Sequence, residues 1–272
     1  MAQVVLITGA SSGIGKKTAK LLAGEGYRVY GGTRERSLTG EDCRDGVKSL
    51  YLDVTDRCSV KEAVDTVIER EGKIDVLVNC AGYGLVATVE DATDKEMFDQ
   101  FNVNVFGLLR TTREVLPHMR GAKRGVIINI SSFLGKMGLP LLTHYNASKY
   151  AVEGIVDSMR FETLPFGIRV HSIQSGLFGT NFVKKGLAVN EDTLGEESPY
   201  RDLVSHFVPI VANAINEGPD PLPVAQAVKS IIEDEDAEIF VPVGAEAERF
   251  VPLRKELDDK SFEKMVKETF GI

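Results

Sequence analysis

Residues 8–15 read Thr8-Gly9-Ala10-Ser11-Ser12-Gly13-Ile14-Gly15, directly after a short apolar run, Val4–Ile7, and at the start of a segment with helical periodicity. Glycine lets backbone N–H groups approach a pyrophosphate closely, and the N-terminus of the following helix favours its negative charge. The stretch therefore predicts a dinucleotide-binding turn. A plain strand-to-helix turn is the alternative, because the glycine spacing differs from the commoner G-x-G-x-x-G pattern.

Apolar runs like the first one recur along the chain, separated mostly by segments long enough for a helix. The predicted strands cover residues 4–7, 27–30, 47–50, 74–78, 126–130, 168–173 and 239–241. The predicted helices cover residues 15–23, 60–70, 95–116, 145–163 and 224–233, and Pro117 and Pro165 predict the ends of the third and fourth. Continuously apolar strands are typical of a sheet that helices cover on both faces. We therefore expect an α/β fold with a seven-stranded parallel sheet between helices and with ligands at the carboxyl ends of its strands.

Length, charge and cysteine content narrow the class of protein. A chain of 272 residues is expected to form one domain over residues 1–272. The net charge of -8 argues against a nucleic-acid partner, because phosphate binding needs clustered lysine and arginine. The sequence has no signal peptide pattern and no apolar run of transmembrane length, and Cys43, Cys58 and Cys80 lack the spacing of a metal site. We expect a cytoplasmic protein with reduced thiols, without a metal and without membrane contact.

Two segments depart from the alternation of strands and helices. Residues 176–223 form a long insertion in which apolar side chains are scattered among glycine and charged residues, and long loops of this kind are often functional lids. Residues 244–272 form a C-terminal extension whose i, i+4 apolar pattern predicts a helix with one apolar face, packed against the body or another subunit. The pattern is made by Leu253, Leu257, Phe262, Val266 and Phe270.

The end of the second predicted strand indicates the cofactor. An acidic residue there holds the ribose 2′-hydroxyl of NAD(H), whereas an arginine accommodates the 2′-phosphate of NADP(H). Thr33 stands at the acid's position and Arg34 follows it, with Arg36 as a second candidate for the phosphate. Glu35 opposes this interpretation because a carboxylate repels a phosphate, and an exposed loop arginine is the alternative. The loop predicts NADP(H) in preference to NAD(H).

Tyr145 and Lys149 stand one helical turn apart on the same face of a predicted helix. A free tyrosine is a poor base at neutral pH, and a nearby ammonium favours the phenolate, which predicts proton transfer by Tyr145. Ser132 follows the preceding predicted strand, at the sheet edge where a hydroxyl can hydrogen-bond a substrate oxygen. Because a Tyr-x-x-x-Lys pair also arises by chance, the prediction depends on the combination of all three residues.

Together these motifs resemble the short-subfamily members of the short-chain dehydrogenase/reductase family. TGASSGIG at 8–15 is accompanied by NCAG at 79–82, NVFG at 104–107, Ser132 and YNASK at 145–149. The resemblance implies a three-layer Rossmann fold and an NAD(P)-dependent oxidoreductase. It implies that Tyr145 is the general acid/base, that Lys149 lowers its pKa and holds the nicotinamide ribose, that Ser132 binds the reacting oxygen, and that Asn104 anchors a relay water.

The resemblance also implies a set of cofactor contacts, in which Asp53 meets the adenine. The implied contacts are Gly9, Ser11, Ser12, Gly13, Ile14, Gly15, Arg34, Asp53, Val54, Asn79, Ala81, Gly82, Tyr145, Lys149, Gly176 and Thr180. Two positions depart from the family pattern. Cys80 replaces an asparagine, and Ser175 replaces a proline before the nicotinamide-facing Thr180. The second change leaves the geometry of that turn open, since proline restricts φ and serine does not.

Within the family, the sequence around Tyr145 and the C-terminal extension look most similar to hydroxysteroid and retinol dehydrogenases. Apolar residues between Ser132 and Tyr145, with Phe178 and Phe182, predict an apolar substrate pocket, and ordinary core packing accounts for them about as well. The predicted reaction is the interconversion of a carbonyl and a secondary alcohol on a steroid-, retinoid- or lipid-like substrate.

Alternatives to this function are a dinucleotide-sensing regulatory protein of the same fold and, more distantly, an epimerase or dehydratase of nucleotide-sugars. The helix at 95–116 and the usual assembly of the family predict a homodimer or homotetramer. Three further features are assigned no chemistry. We interpret His144 as a helix-start or pocket-rim residue, Cys80 as core packing and the acidic run at 233–236 as solvated surface.

Overall fold

The computed structural model describes residues 2–180 and 182–272, and the side chains of these residues other than 40–44, 184 and 185. Its strands are β1 (Val4–Ile7), β2 (Arg28–Thr33), β3 (Gly40–Arg44), β4 (Val47–Tyr51), β5 (Val76–Asn79), β6 (Gly84–Val86), β7 (Gly125–Ile130), β8 (Ile168–Ser175), β9 (Leu187–Val189) and β10 (Phe240–Val243). Its helices are α1 (Gly13–Gly24), α2 (Arg57–Glu71), α3 (Asp94–Phe101), α4 (Leu108–Ala122), α5 (Thr143–Thr163), α6 (Phe182–Lys185), α7 (Glu191–Leu194), α8 (Arg201–Asn216), α9 (Leu222–Glu233), α10 (Ala245–Glu256) and α11 (Asp259–Phe270).

The main sheet confirms the predicted α/β fold. Seven strands run parallel in the order β10-β8-β7-β5-β1-β2-β4, and they correspond to the seven predicted ones. An eighth strand, β3, pairs antiparallel with β4 at the edge and was not predicted. Asp45 and Gly46 connect these two strands with positive φ, which is the signature of a tight hairpin turn. This Asp-Gly pair was the signal in the sequence for the additional strand.

The core lies on both faces of this sheet. On one face the strands pack against α2, α4 and α5 through residues such as Val64, Met119 and Val156. On the other face they pack against α1 and α9 through residues such as Leu22 and Val228. Since both faces are covered, every residue of β5 and β7 is buried, which is why apolar residues follow one another at 76–78 and 126–128 instead of alternating with polar ones.

The helix predicted at 95–116 differs from the observed structure. It is divided into α3 and α4 by a π-helical turn, Asn102–Gly107, and α4 continues through Pro117 to Ala122. The predicted stop at Pro117 is therefore wrong. The proline removes one N–H donor, but Val115 and Met119 on either side of it are fully buried and their packing maintains the helix. The stop at Pro165 is confirmed, because α5 ends at Thr163.

The insertion at 176–223 is mostly helical, so the irregular loop expected there is wrong. It contains α8, and β9 pairs in parallel with β6 to form a separate two-stranded sheet. The C-terminal extension holds two helices in place of one, because Asp258 accepts hydrogen bonds from the N–H groups of Lys260 and Ser261 and so starts α11. Phe250 and Phe270 of these helices pack near Phe133 and Phe207 of the body. Within the described ranges, no helix has the length and apolar character needed to span a bilayer.

Candidate active site

The glycine-rich turn lies at the carboxyl end of β1 and leads into the N-terminus of α1. Gly9 and Gly13 have φ of +68° and +51°, values that side chains rarely allow. A Cβ on Gly15 would lie 2.4 Å from the carbonyl oxygen of Gly9, so this position admits only glycine. Thr8 joins the turn to the NCAG segment, because its Oγ1 accepts hydrogen bonds from the N–H groups of Cys80 and Ala81, each at 3.0 Å.

A cavity of ≈ 640 Å³ extends from this turn along the carboxyl ends of the strands. It is lined by most of the residues predicted to contact a cofactor and by three of the four predicted catalytic residues. These are Gly9, Ser11, Ser12, Gly13, Ile14, Gly15, Arg34, Val54, Ala81, Gly82, Gly176, Thr180, Ser132, Tyr145 and Lys149. The structure therefore brings together residues that are far apart in the sequence.

Two predicted cofactor contacts, Asp53 and Asn79, lie beside the cavity wall and not in it. Asp53 Oδ1 accepts hydrogen bonds from the N–H and the hydroxyl of Thr55, at 2.9 and 2.7 Å. Asn79 is buried and donates from Nδ2 to Thr112 Oγ1 and Asn129 Oδ1, both at 3.0 Å. The side chains of these two residues thus hold the loops whose neighbours, Val54 and Ala81, line the cavity.

Asn104 lies in the π-helical turn and is buried. Its Nδ2 donates to the carbonyl of Tyr83 at 2.9 Å and to Ser148 Oγ at 3.0 Å, and its Oδ1 accepts from the N–H of Tyr83 at 3.0 Å. A Cβ on Gly82 would lie 3.2 Å from Asn104 Oδ1 and 4.0 Å from Lys149 Nζ, which places Asn104 near the lysine. Its amide has protein partners, and the role of holding a relay water stays a prediction.

Ser132, Tyr145 and Lys149 converge at one end of the cavity. The hydroxyl of Ser132 neighbours the phenol of Tyr145 and acts to lower its pKa. Lys149 Nζ lies 5.7 Å from the centroid of the Tyr145 ring and donates to the carbonyl of Ile130 at 2.9 Å. Since α5 carries the tyrosine and the lysine one turn apart, while Ser132 follows β7, the packing of α5 on the sheet determines this geometry.

The electrostatics of these groups differ from the expectation. Burial raises the pKa of Tyr145 to about 12, and the neighbouring Ser132 side chain acts in the opposite direction. Burial lowers the pKa of Lys149 to about 8, and the negative charge of Glu153 opposes this decrease. The protein's own groups therefore do not bring the pKa of Tyr145 down toward neutrality, as the motif had suggested. At neutral pH the phenol keeps its proton, which suits a proton donor.

The loop after β2 places two of its charged residues at the cavity. Thr33 is buried, and its Oγ1 accepts a hydrogen bond from the N–H of Glu35 at 3.0 Å, which turns the loop. Arg34 and Glu35 both line the cavity. The guanidinium of Arg36 instead lies 3.8 Å above the centroid of the Tyr51 ring, and Arg36 is not part of the cavity wall. Arg34 therefore lies at the cavity and Arg36 does not, and contact of Arg34 with a 2′-phosphate stays a prediction.

Comparison with known proteins identifies the family. A family model described as short chain dehydrogenase matches residues 3–190, and this match includes the glycine turn and the Ser132, Tyr145 and Lys149 positions. The chain belongs to the short-chain dehydrogenase family. It is an oxidoreductase with the Rossmann-type fold of that family.

Individual relatives of this short-chain dehydrogenase cover most of the chain. A 3-ketodihydrosphingosine reductase of Bacteroides thetaiotaomicron is 39% identical over 242 residues, which are 89% of this chain and 88% of the relative. A short-chain dehydrogenase from Streptomyces avermitilis has a TM-score of 0.82 at 33% identity, with 99% of this chain and 98% of that chain covered. A family member from Burkholderia phymatum, solved in complex with NAD, shares the fold with a TM-score of 0.78 at 24% identity, over 94% of this chain and 93% of that one.

The site of this short-chain dehydrogenase fits a nicotinamide dinucleotide. Its helix N-terminus and the hydroxyls of Ser11 and Ser12 are donors suited to a pyrophosphate. A Cβ on Gly13 would project to 3.5 Å from Thr180 Cβ, so the bare glycine keeps a passage open between the turn and the insertion. The same cavity continues to Tyr145, which gives a long ligand room between the turn and the reacting end.

The two departures from the family pattern leave the short-chain dehydrogenase site intact. Ser175 donates from Oγ to the carbonyl of Gly176 at 3.0 Å in the turn after β8. Cys80 packs against the core, and burial raises the pKa of its thiol to about 11, so it stays protonated. His144 is buried and burial lowers its pKa, but it does not line the cavity.

Sequence reasoning missed several residues of the cavity wall in this short-chain dehydrogenase. Tyr83 follows the NCAG segment directly and lines the cavity, as do Val211 and Ile215 of α8. The i, i+4 spacing of Phe207, Val211 and Ile215 was a helical signal inside the insertion.

Proposed function

We propose that the chain is an NADP(H)-dependent oxidoreductase, formed by one domain over residues 1–272, that interconverts a carbonyl and a secondary alcohol on a hydrophobic substrate. The observation that carries the proposal is the position of Ser132, Tyr145 and Lys149 at one end of a cavity whose other end is the glycine turn. Family membership supports the hydride-transfer chemistry.

The glycine turn and the N-terminus of α1 are suited to hold the cofactor pyrophosphate, and Lys149 and Thr180 of the same cavity wall are assigned to the nicotinamide half. Arg34 is the group for the 2′-phosphate. When bound, the cofactor supplies or accepts the hydride, and its oxidised form carries a positive charge that favours the phenolate of Tyr145.

Proton transfer is assigned to the protein's own side chains. In reduction, Ser132 binds the carbonyl oxygen of the substrate and Tyr145 donates the proton that converts it into a hydroxyl. In oxidation, the phenolate of Tyr145 removes that proton. The raised pKa of the phenol favours the reductive direction at neutral pH, because the proton to be donated is present.

The cavity wall near Tyr145 favours an apolar substrate. The apolar side chains of the wall include Leu134, Leu142, Phe178, Phe182, Leu187, Val211 and Ile215, and four of them, Leu134, Leu142, Leu187 and Val211, belong to the apolar cluster that packs with Tyr145. A ring contact of 6.3 Å between Tyr145 and Phe182 adds an aromatic surface beside the phenol. Because the Bacteroides relative is named for a long-chain ketone, 3-ketodihydrosphingosine, we propose a long-chain ketone as substrate before a steroid or a retinoid.

Steady-state oxidation of NADPH by the purified protein tests this function. The panel is 3-ketodihydrosphingosine, a 3-ketosteroid, retinal and a small quinone, each with wild type and Tyr145→Phe. We expect turnover that depends on Tyr145 and is fastest with the long-chain ketone. Tight NADPH binding without turnover on any member would favour the dinucleotide-sensing alternative.

Arg34→Ala is expected to raise the KM for NADPH by about 10- to 100-fold, which is the effect of losing a charge-assisted hydrogen bond of about 1.5–3 kcal/mol. The KM for NADH should change less than about twofold, since NADH has no 2′-phosphate. Arg36→Ala is the matched control, because its guanidinium stacks on Tyr51 outside the cavity wall. Equal changes in KM for both cofactors in Arg34→Ala would contradict the preference for NADP(H).

We expect a homodimer or homotetramer that assembles through the region of α3 and α4. Phe98, Phe106 and Leu109 there are 57%, 40% and 39% exposed, although they are large and apolar. Light scattering at micromolar concentration should give a multiple of 29.7 kDa, and Phe106→Asp should lower that mass. Val89→Asp, on an exposed residue outside these helices, should leave it unchanged. A monomer mass for wild type would refute this assembly.

A further inference from the structure

Glu153 is a buried carboxylate on α5, one helical turn beyond Lys149 and outside the cavity wall. Its Oε1 accepts a hydrogen bond from Ser172 Oγ at 2.5 Å, and its Oε2 accepts one from Gln174 Nε2 at 2.6 Å. Lys136 Nζ forms an ion pair with Oε2 at 3.2 Å. Burial of a charge is costly unless it is paired and hydrogen-bonded, and these three donors supply that compensation.

The donors come from two different elements that carry the site. Ser172 and Gln174 belong to β8, which ends at the turn with Gly176, and Lys136 follows the short turn after Ser132. That turn lies so close to α5 that a Cβ on Gly135 would be 2.9 Å from Glu153 Cγ and 3.0 Å from the carbonyl oxygen of Lys149. Glu153 therefore links α5, the helix that carries Tyr145, to β8 and to the turn after Ser132.

Glu153 also acts on the charge of Lys149. The groups that face the lysine are the Tyr145 ring at 5.7 Å, the Cys80 thiol and the Glu153 carboxylate. The Cys80 thiol keeps its proton at neutral pH, because burial raises its pKa to about 11. Burial lowers the pKa of Lys149 to about 8, and the negative charge of Glu153 opposes that decrease. The positive charge of Lys136 offsets the effect of Glu153 on the pKa of Lys149 only partly, because the Lys136 side chain is 31% exposed and screened by water.

We propose that Glu153 is a positioning residue that acts through Lys149: its buried carboxylate fixes α5 against β8 and the turn after Ser132, and places a negative charge one helical turn from the Lys149 ammonium. This inference rests on the proposed function in one respect, namely that Lys149 supports proton transfer at Tyr145. It assigns Glu153 no contact with substrate or cofactor.

Glu153→Gln removes the charge and can keep the hydrogen bonds. The amide oxygen can accept from Gln174 and Lys136, while the amide nitrogen donates to Ser172 Oγ, which can turn its own hydrogen away. We expect the basic limb of the pH profile of kcat/KM for reduction to move down by about 0.5–1 pH unit. At pH 6, Lys149 stays protonated in both wild type and Glu153→Gln. The KM for NADPH at this pH should therefore differ by less than about twofold between the two proteins.

Lys136→Gln is the matched variant, and it is expected to move the basic limb of the pH profile in the opposite direction. It leaves the charge of Glu153 without its ion-pair partner, so the basic limb should move up, by about 0.3 pH unit because Lys136 is partly exposed. A merely structural role of the cluster would lower the melting temperature in both variants and move neither limb. Opposite shifts support the proposal, and an unmoved limb in Glu153→Gln overturns it.

NMR titration of the protein labelled with 13C at lysine Cε measures the pKa of Lys149 without turnover. The Lys149→Arg variant assigns the Lys149 signal. The pKa of Lys149 should be lower in Glu153→Gln than in wild type, and higher in Lys136→Gln. An unchanged pKa of Lys149 overturns the proposal. If the protein turns over no member of the substrate panel, the proposed function is contradicted. The titration still shows whether Glu153 raises the pKa of Lys149.

Discussion

Tyr145→Phe is expected to lower kcat for ketone reduction by about 10²- to 10⁴-fold, the range that general acid catalysis contributes. The substitution removes the proton donor and leaves Ser132 as the remaining hydroxyl beside the substrate oxygen. The aromatic ring stays in place next to Phe182, 6.3 Å away, so the cavity keeps its shape. The KM for NADPH should change less than about threefold, because the other cofactor contacts are kept.

Tyr150→Phe is the control for this change. Tyr150 lies on the same helix, is 47% exposed and is not part of the cavity wall, so kcat should stay within a factor of about two. Thermal unfolding of both variants shows whether the fold is kept. A Tyr145→Phe enzyme with the kcat of wild type would remove Tyr145 from the mechanism.

Gly15→Ala is expected to weaken NADPH binding by about 100-fold or more and to lower the free energy of unfolding by about 1–3 kcal/mol. The added Cβ would lie 2.4 Å from the carbonyl oxygen and 3.0 Å from the carbonyl carbon of Gly9. Both are backbone atoms, so the turn itself has to move. The N–H groups of the turn, which would hold the pyrophosphate, move with it, and each charge-assisted hydrogen bond lost costs about 1.5–3 kcal/mol.

Gly24→Ala is the matched control for this effect. Gly24 is the last residue of the same helix, and a Cβ there meets nothing within 4 Å. The substitution should leave NADPH affinity unchanged and raise stability by about 0.4–1 kcal/mol, because alanine restricts the unfolded chain. Calorimetric titration with NADPH and thermal unfolding measure both effects. Affinity equal to wild type in Gly15→Ala would contradict the assignment of the turn to the pyrophosphate.

The sequence was sufficient to predict the seven parallel strands of the main sheet and which residues meet at its carboxyl edge. Strands such as β5 and β7 are buried on both faces, so their residues 76–78 and 126–128 are all apolar, a pattern that is visible without a structure. Ser132, Tyr145 and Lys149 were found because strands of a parallel sheet end at one edge and because residues four apart share a helix face.

Other features depend on contacts that local patterns do not contain. Pro117 lies inside α4 because buried neighbours hold the helix, against the local preference of proline to end it. The pKa of Tyr145 is raised by burial, and a motif records a neighbouring lysine but not the degree of burial. Glu153 stands in the sequence as one more charged residue of a helix, and its donors on β8 become its neighbours only after folding.

The most direct test of hydride transfer is to supply [4,4-²H₂]NADPH with 3-ketodihydrosphingosine and to analyse the product by mass spectrometry. The account predicts an alcohol that carries one deuterium at the former carbonyl carbon with wild-type protein, and a loss of this product in Tyr145→Phe. NADPH consumption without deuterium at that carbon, or the same labelled product from Tyr145→Phe, would contradict it.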